Sequence, residues 1–157
     1  MMHISAKFTS IEIIESEFDV EMEQFRVVPD SGGGGRFRGG SSFQRDYRIK
    51  SASRFAGGTV RSQVPSHGVD GGLSGQSAEV VVNPGTDKEV THTGMVSNLL
   101  LHKGDLLRIQ TGSAGGVGAP KERDHARVIN DIRNGYVSAS TAKTVYGLTD
   151  AELPPAL

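Results

Sequence analysis

The sequence predicts a mainly β domain, with mixed or antiparallel strands joined by long glycine-rich loops and two short helices closing its C-terminal end. Three observations predict it. Period-two alternation of apolar and polar residues recurs before Gln110, which is the pattern of half-buried strands. Helical stripes occur only after Asp124. Two glycine-rich segments, residues 29–40 and 111–120, interrupt the pattern where a built loop rather than a strand or helix belongs.

Taken in order, residues 10–17 alternate Ile11 and Ile13 against Glu12, a short strand signal. From residue 18 to 22 the even positions are apolar, and by Phe25 and Val27 the odd ones are. A change of phase in one extended run implies a bulge, or a strand covered on both faces. Glu15, Glu17, Glu21 and Glu23 read as its solvated edge in preference to metal ligands. Phe43, Tyr47 and Ile49 then share one face, with Gln44, Asp46, Arg48 and Lys50 on the other, the cleanest amphipathic strand in the chain. Residues 50–58 lose all periodicity.

Residues 57–75 form a long irregular stretch; loops of that length in a compact domain are functional, interfacial or disordered. Val80 to Val82 make a short buried-strand candidate closed by the turn Asn83-Pro84-Gly85-Thr86. Residues 95–101, the turn Lys103-Gly104-Asp105 and residues 106–110 read as a hairpin, with Leu107 and Ile109 facing the core. Asp124 caps a helix from His125 to about Asn134, with Val128, Ile129 and Ile132 as its stripe and Gly135 as its stop. A second helix runs from Ser138 to Gly147, with Ala142, Val145 and Tyr146 inward. The chain reads as a single domain over residues 1–157, with residues 1–9 and 149–157 as extended or frayed ends.

Composition narrows the function. The chain has 17 basic and 18 acidic residues, a net charge of −1, which gives no electrostatic case for nucleic acid or an anionic membrane as partner. It has no cysteine, so disulfides, thiolate zinc sites and a cysteine nucleophile within the chain are excluded. No apolar run approaches the ~18 residues of a membrane span, and no secretory leader is visible. Cytoplasm is the default expectation.

The organising stretch is Pro29-Asp30-Ser31-Gly32-Gly33-Gly34-Gly35-Arg36-Phe37-Arg38-Gly39-Gly40. A phosphate cradle would need a helix N-terminus after the turn and a lysine; neither follows. An Arg-Gly-Gly contact to single-stranded RNA would rest on one copy in a chain of net charge −1. The residues favour a tight structural turn, with Phe37 buried and Arg36 and Arg38 holding carbonyls or carboxylates, and a subunit interface as its functional variant. Asp30, Gly34, Arg36, Phe37, Arg38 and Gly39 are the candidate binding residues. If the segment is extended, Arg36 and Arg38 share a face opposite Phe37. His67 and Asp70 form a weaker catalytic pair, as a base and its orienting partner; a solvated loop histidine is the commoner arrangement. His92 and His102 could meet across a hairpin but lack a third ligand at metal-site spacing.

The glycine string resembles the signature of the hydantoinase B family, shared with the B-type part of 5-oxoprolinase and of ATP-dependent ketone carboxylases. The similarity extends to Phe43-Gln44-Arg45-Asp46-Tyr47-Arg48, to Val82-Asn83-Pro84-Gly85-Thr86, to the second glycine loop, and to the Gly135-Tyr136-Val137-Ser138 turn with its helix end at Tyr146-Gly147. Val117 stands where the family has an aromatic residue and Ala119 where it has an aspartate. The match is to the C-terminal part of much longer family chains, an arrangement similar to the small subunit of biotin-independent acetophenone carboxylases. The resemblance implies an ATP-dependent complex in which ATP and a divalent metal sit on larger A-type and B-type partner subunits. It implies a structural and assembly role for this chain, inactive in isolation. A C-terminal piece of a hydantoin or 5-oxoproline hydrolase B subunit is the nearest alternative, and a non-enzymatic binding or scaffold module the other. Residues 32–40 and 57–75 are the expected contact elements, with Arg36 and Arg38 meeting partner carboxylates or carbonyls.

Overall fold

The computed structural model describes residues 9–155, so most of the expected extended N-terminal end lies outside the described residues. Among the described residues seven strands form two sheets. Strands β1 (Val20–Val27), β2 (Phe43–Ile49), β4 (Glu79–Val82), β5 (Val90–His92) and β7 (Leu106–Gln110) make one sheet in the order β1-β2-β7-β4-β5. Every pairing in it is antiparallel. Strands β3 (Ser53–Gly58) and β6 (Met95–Leu101) pair as a separate antiparallel ribbon. Helices α2 (His125–Arg133) and α3 (Ala139–Thr144) follow the last strand. The mainly β reading with two C-terminal helices therefore holds.

Two apolar clusters organise this arrangement. Tyr47, Ile49, Val80, Val82, Leu101 and Leu107 bury against one another, joining the large sheet to the ribbon through Leu101. Each such side chain contributes roughly 1.5–3 kcal/mol when fully removed from water. Val128, Val137, Ala142, Tyr146 and Leu148 form the second cluster, between the helices and the segments that flank them. Asp124 caps α2 by accepting from the Ala126 amide at 2.9 Å, and Ser138 caps α3 through the Thr141 amide at 3.1 Å. Gly135 (φ 71°) stops α2, as its sequence position implies.

Several expectations change. Residues 10–17 are not a strand: Ile11–Glu17 is a helix, α1. Ile11 and Ile14 are three apart and share a helical face, and Ile14 packs against the first core cluster. The phase change in β1 is a bulge, with the register slipping between Met22 and Gln24. Residues 53–58, aperiodic in sequence, are held as β3 by pairing with β6. The hairpin over residues 95–110 does not form. Its turn exists, with Gly104 at φ 92°, but both edges of β7 are taken by β2 and β4, so β6 pairs elsewhere.

The polar face of β2 is solvated only at its Arg48 and Lys50 end. Gln44 and Asp46 are buried, and Asp46 accepts two hydrogen bonds from Arg108, at 2.9 and 2.7 Å. At the other end of the chain, where a frayed tail was expected, Asp150–Glu152 is a 3-10 turn with a capping box. Hydrogen bonds from the Thr149 backbone, then from His125 and the Thr149 side chain, hold the Glu152 carboxyl down at about 2.

Candidate functional site

Three glycine-rich segments from distant parts of the sequence meet backbone to backbone. The first is the loop after β1, the second lies within residues 67–75, and the third follows β7. Gly33 donates its amide to the Ala114 carbonyl (2.9 Å), Leu73 to Gly34 (2.7 Å), and Gly116 to Leu73 (2.9 Å). Phe37 and Val117 exchange both backbone hydrogen bonds at 2.9 Å, and Val69 and Gly118 extend the pairing. This close approach is why the sequence needs glycine here. A Cβ on Gly72 would fall on the Gly116 carbonyl oxygen, one on Gly116 on that of Gly34, and one on Gly39 on that of Ala114.

The candidate residues divide by what they touch. Asp30 (φ 58°) receives the Ser138 amide on its carboxylate at 2.8 Å and donates its own amide to Tyr136 at 3.0 Å. It thereby ties the first loop to the link between α2 and α3. Gly34 and Gly39 are buried within the junction. Arg38 turns inward: Nε donates to Asp131 at 3.2 Å, Nη1 donates to the Gly39 carbonyl at 2.8 Å and to Ser41 at 3.0 Å, and the guanidinium stacks 5.0 Å from the Tyr136 ring centroid. Arg36 is exposed, with its guanidinium 5.6 Å from the Phe37 centroid. Phe37 was expected to be buried, but it is 54% exposed. Its backbone is fixed by Val117, and that pairing directs the ring outward.

Two residues not singled out from the sequence complete the buried cluster. Asp131 on α2 accepts from Arg38 and, on the same oxygen, from Arg123 at 2.8 Å; Arg123 also donates to the Arg36 carbonyl at 3.1 Å. Asp131 lies between Val128 and Ile132 on the apolar stripe of α2; an acid in that place is the signal that could have found it. Two guanidinium groups against one carboxylate leave the cluster cationic. Burial pushes the Tyr146 hydroxyl above the usual phenol range, with Arg123 and Arg38 pulling the other way. Buried Ser31 and Ser113 were also missed. The Ser113 hydroxyl donates to the Ser31 carbonyl and accepts the Gln76 amide at 2.6 Å, joining all three segments.

His67 and Asp70 are both exposed, and no hydrogen bond joins them among the described residues. Asp70 sits at φ 51° as a turn residue. His92 lies on β5 opposite Val80, whereas the His102 amide donates to Asp105 at 2.7 Å. Among the described residues no three His, Asp or Glu side chains converge as a metal site. Seven of the loop amides are committed: those of Gly33, Phe37, Gly39, Gly72, Gly75, Gly116 and Gly118 all donate to backbone carbonyls. An anion-binding nest needs amides free, and these seven are not.

With that geometry in view, the comparison with known proteins is decisive on one point. The family model described as hydantoinase B/oxoprolinase matches residues 1–120. The chain belongs to the hydantoinase B/oxoprolinase family. Among its relatives, the caprolactamase subunit beta of Pseudomonas jessenii is 30% identical over 142 residues, covering 88% of this chain and 24% of that protein. The crystal structure of ATP-dependent caprolactamase from the same organism matches at TM-score 0.75 and 26% identity, over 90% of this chain and 26% of that one. Acetone carboxylase, solved without nucleotide, matches at TM-score 0.70 and 20% identity, over 92% of this chain and 23% of that one; that likeness is one of fold. The chain thus spans at most about a quarter of the length of the curated relatives it matches. No helix among the described residues is long and apolar enough to cross a membrane.

Proposed function

We propose that this hydantoinase B-type chain is a structural and assembly component of an ATP-dependent enzyme that activates a carbonyl group. Its larger A-type and B-type partners carry the ATP and divalent-metal sites. The observation that carries this reading is the likeness, in sequence and fold together, to an ATP-dependent caprolactamase. The committed amides of the glycine junction support it, because they leave this chain's loops as scaffold. ATP would supply a phosphoryl group that turns an unreactive carbonyl oxygen into a leaving group. We place the complex in the cytoplasm, where ATP is available.

Hydrolysis of a cyclic amide is the favoured chemistry, since the caprolactamase likeness extends to sequence. Carboxylation of a ketone, of the acetophenone type, is the second reading, favoured by the fold shared with acetone carboxylase. The test is ATP turnover. The purified chain alone should release no phosphate. Its complex with the larger subunits should do so when given a lactam or hydantoin, or, on the second reading, a ketone with bicarbonate. ATP hydrolysis by the single chain that one substitution in it abolishes would overturn the proposal.

A further inference from the structure

The stop of α2 joins an asparagine to a glycine. Gly135 takes the left-handed conformation that ends the helix, and Asn134 before it is the C-cap. An asparagine in front of glycine is open to attack on its side-chain carbonyl carbon by the next backbone nitrogen, because glycine puts no side chain in the way. Of the four asparagines, Asn83 precedes proline, Asn98 precedes Leu99 and Asn130 precedes Asp131; Asn134 alone precedes glycine. Proline has no N–H to give up. Asp70-Gly71 is the corresponding acid pair, and a carboxylate accepts a nucleophile far less readily than a carboxamide does.

Solvent reaches the pair, while the fold restrains it. Asn134 and Gly135 are both exposed, and a Cβ placed on Gly135 would meet nothing within 4 Å. The Gly135 amide donates to the Ile132 carbonyl at 3.0 Å, and Asn134 Nδ2 donates to the Asn130 carbonyl at 2.8 Å. Nucleophile and leaving group are therefore both held by the last turn of α2. Asn134 has ψ 3°, and ring closure needs that bond to turn until the Gly135 nitrogen faces Cγ. Opening this turn is a local event, and the ends of elements open at the lowest free energies in a fold.

Replacing the amide would be felt beyond α2. A carboxylate in place of the Asn134 amide has no proton for the Asn130 carbonyl, and it sets an anion at the helix C-terminus, where the macrodipole disfavours it. Two residues from Asn134, the Tyr136 carbonyl accepts the Asp30 amide at 3.0 Å, and the Ser138 amide donates to the Asp30 carboxylate at 2.8 Å. These bonds tie the helices to the first glycine loop.

We propose that Asn134 is a site of spontaneous deamidation through a cyclic imide with Gly135, gated by opening of the last turn of α2, and that its product loosens the tie to Asp30. The Gly135 nitrogen bonds to Asn134 Cγ, the Cγ–Nδ2 bond breaks, and Nδ2 leaves as ammonia with the proton that Gly135 gives up. Water then opens the imide at either carbonyl, leaving aspartate or its β-linked isomer, which carries one more carbon in the main chain. Water is the co-reactant, and nothing is oxidised or reduced.

The experiment incubates the full folded chain at mildly alkaline pH beside the same chain unfolded in guanidinium chloride. Peptide mapping by mass spectrometry follows every asparagine and Asp70. In the folded chain Asn134 should convert first, about tenfold more slowly than when unfolded, the factor set by an opening free energy of about 1.4 kcal/mol. Asn134→Gln should remove the conversion, since the longer side chain closes its ring far more slowly. A folded chain that keeps Asn134 intact while the unfolded chain converts fully overturns the proposal, as does faster conversion at another residue. Equal rates in the two states overturn the gating. Asn134→Asp carries the product's charge, and a thermal melt checks that it folds. Its Asp30 and Ser138 amides should exchange with solvent roughly two- to fivefold faster than in wild type, the size of a charge–dipole contribution at a helix end. Unchanged exchange there overturns the link to the glycine loop.

Discussion

Arg36 and Arg38 are two residues apart and have opposite fates. Arg38 is held by Asp131, the Gly39 carbonyl, Ser41 and the Tyr136 ring, whereas Arg36 lies exposed beside Phe37. Removing one partner of a buried ion pair typically costs about 3–5 kcal/mol, because the other charge is left uncompensated. Here Arg123 still faces Asp131, so Arg38→Ala should cost less than that, about 1.5–3 kcal/mol for its charged hydrogen bonds, in urea denaturation. Arg36→Ala should stay within about 0.5 kcal/mol, as for other exposed substitutions. Equal effects at the two positions would show that the buried cluster does not stabilise this chain.

At the scale of the element, the glycine junction is a single device made from three segments. Its stability depends on the absence of side chains, so the glycines are not equivalent. A Cβ on Gly72 would lie 2.1 Å from the Gly116 carbonyl oxygen, whereas one on Gly40 would meet nothing within 4 Å. Gly72→Ala should therefore destabilise by at least about 1–3 kcal/mol, the usual range for overpacking. Gly40→Ala should be neutral, or stabilising by about 0.4–1 kcal/mol through a restricted unfolded state. Paired thermal melts distinguish them, and a tolerated Gly72→Ala would contradict the close packing described here.

For the whole molecule, strand pairing and burial predict an uneven distribution of stability. Strand β2 and strand β7 are paired on both sides, while α1 buries no residue. In native-state hydrogen exchange, the amides of β2 and β7 should approach the global unfolding free energy. Those of α1 should open with only about 1–2 kcal/mol, as for fraying segments. Core-like protection of α1 in the free chain would mean that it is stable without a partner.

The sequence by itself determined the class of the fold, the family, the helix caps and the places where loops must be. These follow from local rules. Asp124 caps a helix and Gly135 stops one, and the phase change in β1 implied a bulge or a strand covered on both faces. The tertiary structure decided the partners. Alternation in residues 10–17 fitted strand and helix alike, and Ile14 packing on the core settled it. No local signal could reveal that β7 has both edges occupied, which sends β6 to β3. Nor could it show that Arg38 turns inward while Phe37 faces out, because that choice depends on Asp131 and Val117, 93 and 80 residues further along. Periodicity records which face of an element avoids water, but only the assembled chain determines what stands opposite it.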